Sequence, residues 1–112
     1  VGDAGETGNT VKKMAENVGL EENEYLPLLE LFIETGAAYL DELRVAIESG
    51  DSKSVYETTH TIRGAAENLG IPEMSELARV VEIRARQNIL EGAEEAVRSL
   101  LRELSDLRKI VH

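Results

Sequence analysis

The sequence contains no cysteine and no tryptophan. Without cysteine there is no disulfide scaffold and no thiolate metal site, a composition that fits a reducing compartment. Basic residues are few beside acidic ones, 12 against 22, for a formal net charge of −10. Such a surface repels a phosphate backbone and argues against nucleic-acid binding. No apolar run approaches the roughly 20 residues that a membrane span needs. The opening VGDAGETGN lacks the basic start and apolar stretch of a signal peptide. A cytoplasmic protein is therefore expected. No segment alternates with period two or carries β-branched runs bounded by turns, so strands are not expected either.

What is present fits one globular domain: 112 residues, 42% hydrophobic and 30% charged, enough for a single core and no separate substrate domain. Residues 1–9, with three glycines and no periodicity, read as a flexible leader, and residues 10–112 as a helical bundle. A short helix is expected over Thr10–Val18, with Val11, Met14, Ala15 and Val18 on one face and Gly19 ending it. A second helix is expected from Tyr25 or Leu26, because Pro27 suits a helix start. Its apolar face is Leu29, Phe32, Gly36, Leu40, Leu43 and Ile47, and Ser49-Gly50 stops it.

A third helix over Ser52–Leu69 would bury Val55, Thr59, Ile62, Ala66 and Leu69. Gly70 ends it, and Pro72 opens a fourth carrying Met74, Leu77, Ala78, Val81 and Ala85 inward. After Gly92, Ala93, Val97, Leu100, Leu104, Leu107 and Val111 form the seam of a fifth. Four long amphipathic helices with short connections and one short N-terminal helix predict an all-α fold, an antiparallel four-helix bundle. A monomer is expected.

Two residues of the third helix do not fit a plain bundle. At about 100° per residue, His60 lies roughly 140° from the buried stripe and Gly64 about 180°. Both are predicted to face solvent, one turn apart. By itself His60 reads as an ordinary surface polar residue. Gly64 weighs against that reading, because an exposed glycine inside a helix costs roughly 1 kcal/mol relative to alanine. Its use would be to let another backbone or a bulky group approach the neighbouring side chain. Arg63, on the same flank, offers a planar and permanently charged set of donors suited to phosphate.

The run HTIRGAAENLG, His60–Gly70, resembles the signature of histidine-containing phosphotransfer (HPt) domains. In that family a histidine is followed by a basic residue three positions on, a glycine, small residues and a Leu-Gly at the helix end. Those positions are His60, Arg63, Gly64, Ala65, Ala66, Leu69 and Gly70. The resemblance extends from about Tyr25 to Ile110 in helix order and lengths; a bare HxxRG would not be specific. It departs from the family at Arg63, where lysine is commoner, but the charge is kept.

The resemblance implies a phosphorelay intermediate, a carrier rather than an autonomous enzyme. His60 would accept a phosphoryl group, Arg63 would steady it and Gly64 would give the partner room. The implied partners are response-regulator receiver domains and a sensor or hybrid histidine kinase. No cofactor of its own is implied, and Mg²⁺ would belong to the receiver. Many family members place a polar group, often glutamine, near position 82. Glu82 there resembles the phosphoacceptor domain of chemotaxis-type kinases, which is one alternative reading. A phosphate-free helical adaptor is the other.

Arg79, Glu82 and Arg86 lie on one flank of the fourth helix. Glu82 is a candidate to hold the imidazole and Arg79 to stand near the phosphate. The alternative is a ladder of ion pairs at three- and four-residue spacing. Leu31 and Val45, off the second helix's buried face, are expected to be covered by the first helix. Tyr56 is expected to pack on its own bundle. The sequence shows no Gly-rich nucleotide loop, no carboxylates at metal-ligand spacing and no serine–histidine pairing. His112 is assigned no role.

Overall fold

The computed structural model describes the backbone of residues 2–111 and the side chains of residues 10–111. Five helices follow in order: α1 (Gly2–Asn17), α2 (Glu22–Glu48), α3 (Ser52–Asn68), α4 (Pro72–Arg86) and α5 (Ala93–Val111). The backbone of α1 begins at Gly2 rather than Thr10, within the segment expected as a flexible leader. The side chains of residues 1–9, and His112 with its expected lack of a role, lie outside the described residues. Among the described residues there is no strand, and the fold is the expected all-α bundle. Helices α2, α3, α4 and α5 pack in a ring, each against the next and α5 back against α2, while α1 lies across α2 and α5. No helix among the described residues is long and apolar enough to cross a membrane.

The core is the set of stripes that the periodicity picked out. Leu29, Leu40, Leu43, Val55, Ile62, Met74, Leu100 and Leu104 are almost wholly removed from water, each contributing roughly 1.5–3 kcal/mol to folding. The ring closes tightly at Gly36, where a Cβ would stand 3.3 Å from Leu104 Cδ1. Here α2 and α5 approach closely because the side chain is missing. At the other side of the ring the Tyr25 hydroxyl, fully buried, donates to the Leu69 carbonyl at 2.6 Å. That bond ties the start of α2 to the end of α3 and satisfies an orphan carbonyl of the helix terminus. Gly70, at φ +66°, then turns the chain into α4, and a side chain there would also meet Val18 at 3.0 Å.

Two further local expectations need correction. Helix α2 starts at Glu22, before Tyr25, so Pro27 is its sixth residue. The Glu24 carboxylate accepts from the Glu21 N–H at 3.0 Å, and acidic residues in the first turn favour the helix dipole. Pro27 can donate nothing to the Asn23 carbonyl, but both residues are exposed and water can take that bond. Leu31 and Val45 are not covered by α1; they remain 56% and 63% exposed. Helix α1 instead seats Val11 and Ala15 in the core.

Candidate functional site

Helix α3 is fixed at its start by Asp51, which accepts from the Ser54 N–H at 3.1 Å and from its hydroxyl at 2.7 Å. These bonds hold the Asp51 carboxyl below its usual range. Thr59, wholly buried, sends its hydroxyl back to the Val55 carbonyl at 2.8 Å and so spends no polar group on the core. The packing of α3 against α4 then turns His60 outward, with its side chain 58% exposed. Gly64, one turn on, is half-buried, and a Cβ built there meets nothing within 4 Å. The space beside the imidazole is open.

Beneath His60, α4 supplies a carboxylate that the protein has taken out of water. Glu82 is 5% exposed, a position that costs several kcal/mol for an unpaired ion. It is not unpaired. Oε1 accepts from Arg63 Nε at 2.7 Å, while Oε2 lies 3.0 Å from His60 Nδ1 and 3.4 Å from Arg86 Nη2. Burial pushes the Glu82 carboxyl up, but the bonds from Arg63 and His60 and their charges outweigh it, so it lies below the usual range. Glu82 is therefore an ionised, acceptor-only group at neutral pH.

This geometry constrains the imidazole. Arg63 Nη2 also stands 3.0 Å from His60 Nδ1. A guanidinium only donates and a carboxylate only accepts, so Nδ1 cannot serve both at once. When Nδ1 carries the proton it donates to Glu82 and leaves a lone pair on Nε2. When Nδ1 is bare it accepts from Arg63 and Nε2 is blocked by its own proton. Only the first tautomer offers a nucleophile to an incoming electrophile, and the buried carboxylate favours it.

The structure thus brings His60, Arg63 and Glu82 into one cluster beside the open flank at Gly64. It does not bring Arg79 there. The Arg79 guanidinium forms a fork on Glu76 within its own helix, at 2.9 and 2.7 Å. The α4 arginine that reaches the cluster is Arg86, whose guanidinium also lies 4.8 Å over the Tyr56 ring. Tyr56 is half-buried on its own bundle under that cation. Sequence reasoning missed Glu67, which accepts from Arg63 Nη1 at 2.9 Å; the i,i+4 spacing was its signal. Among the described residues no group of three or more His, Cys, Asp or Glu is placed to hold a metal ion.

The fold and this cluster define a helical bundle presenting one histidine over a buried carboxylate. The Hpt domain family matches residues 27–110, and the chain belongs to that family. Among solved structures it is similar to histidine-containing phosphotransfer protein B from Pseudomonas aeruginosa PAO1. That match has 25% identity and a TM-score of 0.77, over 91% of this chain and 87% of the other. The HPT domain of a sensor hybrid histidine kinase from Shewanella shares the fold, at 22% identity and a TM-score of 0.71, over 92% of this chain and 86% of the other. No curated protein matches. Family membership gives the chain a histidine phosphotransfer role in phosphorelay, as a phosphotransfer carrier.

Proposed function

We propose that His60 Nε2 accepts a phosphoryl group from the aspartyl phosphate of a receiver domain and passes it to the aspartate of a response-regulator receiver domain. The observation that carries this reading is the pairing of His60 Nδ1 with Glu82 at 3.0 Å under an imidazole that is otherwise open to a partner. In the forward step the P–O bond to the donor aspartate breaks as the P–N bond to Nε2 forms. The aspartate leaves as a carboxylate. Nδ1 keeps its proton throughout, on Glu82.

Phosphoryl transfer passes through a loose transition state, so catalysis is positioning and charge stabilisation. This chain supplies the nucleophile, the Arg63 charge and a docking surface. The receiver supplies its aspartate and Mg²⁺. The carrier is a cytoplasmic monomer with no cofactor of its own, and it binds neither nucleic acid nor membrane. Arg79 has no direct part in the resting site; its guanidinium is engaged by Glu76.

Glu82 favours a second reading. A carboxylate under the histidine resembles the phosphoacceptor domain of a chemotaxis-type kinase, for which the donor is ATP through a kinase domain. The discriminating experiment offers the chain, separately, phosphorylated receiver domains and kinase ATP-binding domains with ATP. Acid-labile label from receivers supports the relay reading, and label only from kinase domains supports the second. Label from neither leaves a phosphate-free adaptor.

Gly64 gives a prediction with opposite signs for folding and transfer. A Cβ there has open space, so Gly64→Ala is expected to raise stability by about 0.5–1 kcal/mol through helix propensity. Larger side chains at the same position are expected to slow transfer from a receiver. Denaturant unfolding and single-turnover transfer, run on Gly64→Ala and Gly64→Leu, check both.

A further inference from the structure

We propose that Glu67 competes with the phosphoryl group for Arg63 and thereby tunes how firmly His60 holds it. The inference rests on the phosphoryl-carrier reading of His60. A guanidinium has two edges that can grip a phosphate with a pair of parallel N–H groups. In Arg63 the Nε/Nη2 edge is taken, with Nε on Glu82 at 2.7 Å and Nη2 beside His60 Nδ1 at 3.0 Å. The remaining edge, Nη1/Nη2, is the one left for a phosphoryl group. Glu67 Oε1 sits 2.9 Å from Nη1 on that edge.

The two carboxylates on Arg63 are not equivalent. Glu82 is buried, with its side chain 7% exposed, and Arg63 is one of the groups that make that burial tolerable. Glu67 is half exposed, one turn along the same helix, in the kind of pair that contributes little. An arriving dianion therefore displaces Glu67 and leaves Glu82 in place. With Nδ1–H on Glu82, the tautomer the carboxylate favours, Nη2 makes no bond to Nδ1 and can hold the phosphate together with Nη1. Arg63 passes from Glu67 to phosphate without leaving Glu82. The displaced Glu67 carboxylate stays close to a group of like charge, so it weakens the phosphate's hold on Arg63.

The test uses phosphoramidate as a small phosphodonor. Its P–N bond breaks, ammonia leaves and takes a proton from water, and a new P–N bond forms at His60 Nε2 while Nδ1 keeps its proton. ³¹P NMR then follows the second ionisation of the phosphohistidine in the wild type, Glu67→Gln, Arg63→Gln and the double variant, with circular dichroism confirming that each is folded. Removing the Glu67 charge is expected to weaken proton binding by the phosphoryl group about threefold, the size of one half-screened surface charge interaction. Arg63→Gln is expected to strengthen it, and in that background Glu67→Gln has less than half its effect. A Glu67→Gln titration that coincides with the wild type, or shifts the other way because Glu67 serves only to aim Arg63, overturns the proposal while leaving the carrier reading intact. A wild-type chain that takes no label at His60 from phosphoramidate or from any receiver overturns both.

Discussion

Glu82→Gln is expected to lower the rate of phosphoryl uptake at His60 by about 10- to 100-fold, the range that follows loss of the carboxylate behind a metal-binding histidine, where the same orienting bond is removed. An amide in this position can still accept a bond from Nδ1–H, but it no longer carries the charge that favours that tautomer. It also offers its own N–H to a neighbourhood holding two guanidinium groups, Arg63 and Arg86. The histidine then spends more of its time with the proton on Nε2, where no nucleophile is available. Single-turnover transfer from a phosphorylated receiver reads the rate. Direct ¹⁵N spectra of the His60 ring read the tautomer shift that a purely structural role would not produce.

The same substitution carries a pH prediction. The Glu82 carboxyl lies below its usual 4.5 in the folded chain, so between that folded value and the unfolded one the unfolded chain binds more protons. Its contribution to stability is therefore complete above about pH 4.5 and lost as the pH falls through the folded value. Asp51 and Glu76 are held low as well and add their own slope in acid. The difference between wild type and Glu82→Gln isolates the Glu82 part. Denaturant unfolding between pH 3 and pH 7, on the order of the window those carboxylates set, is expected to show the two curves converging toward the acid end.

The second large effect belongs to His60 itself. His60→Gln is expected to reduce phosphoryl uptake to background while leaving stability close to that of the wild type. The side chain is 58% exposed and contributes no apolar core surface. Glutamine can still place a donor toward Glu82, so the buried carboxylate is not abandoned. The contrast between the two variants is informative: Glu82→Gln slows a reaction that still occurs at His60, whereas His60→Gln removes the atom that reacts. Residual label in His60→Gln would place the acceptor elsewhere on the chain.

The helices were legible because their apolar residues recur at three and four, and a repeat of that kind names both the element and the face it buries. Thr59 and Gly36 could be placed inside the bundle on register alone, although neither is strongly apolar. The start of α2 is hidden in the sequence because Pro27 has the stronger signal of an initiator. The acidic turn before it, Glu21 to Glu24, is a subtler signal that competes with the proline and wins where the lost bond faces water. Leu31 and Val45 show a different limit. Periodicity says which side chains leave the core face but not which of them a neighbouring helix covers.

At the site, helical geometry was enough to turn His60 and Gly64 away from the core stripe, and spacing along α4 was enough to put Arg79, Glu82 and Arg86 on one flank. Which of those three meets the histidine depends on how α4 is rotated against α3. The pattern of one helix does not contain that angle. Glu82 is drawn inward, Arg86 reaches it from one turn on, and Arg79 turns to Glu76 instead. Glu67 was readable as an i,i+4 partner of Arg63, but such pairs are common on solvated helices. Its meaning emerges only once the other edge of Arg63 is seen to be occupied.

The most direct test of the carrier reading is to locate the phosphoryl group after the wild-type chain has been mixed with phosphorylated receiver domains, using ¹⁵N-labelled histidine and ³¹P–¹⁵N coupling. The expected result is one acid-labile, base-stable phosphoryl group on His60 Nε2, with the Nδ1 proton retained and bonded to Glu82. A phosphoryl group on Nδ1, on another side chain, or on none would contradict it.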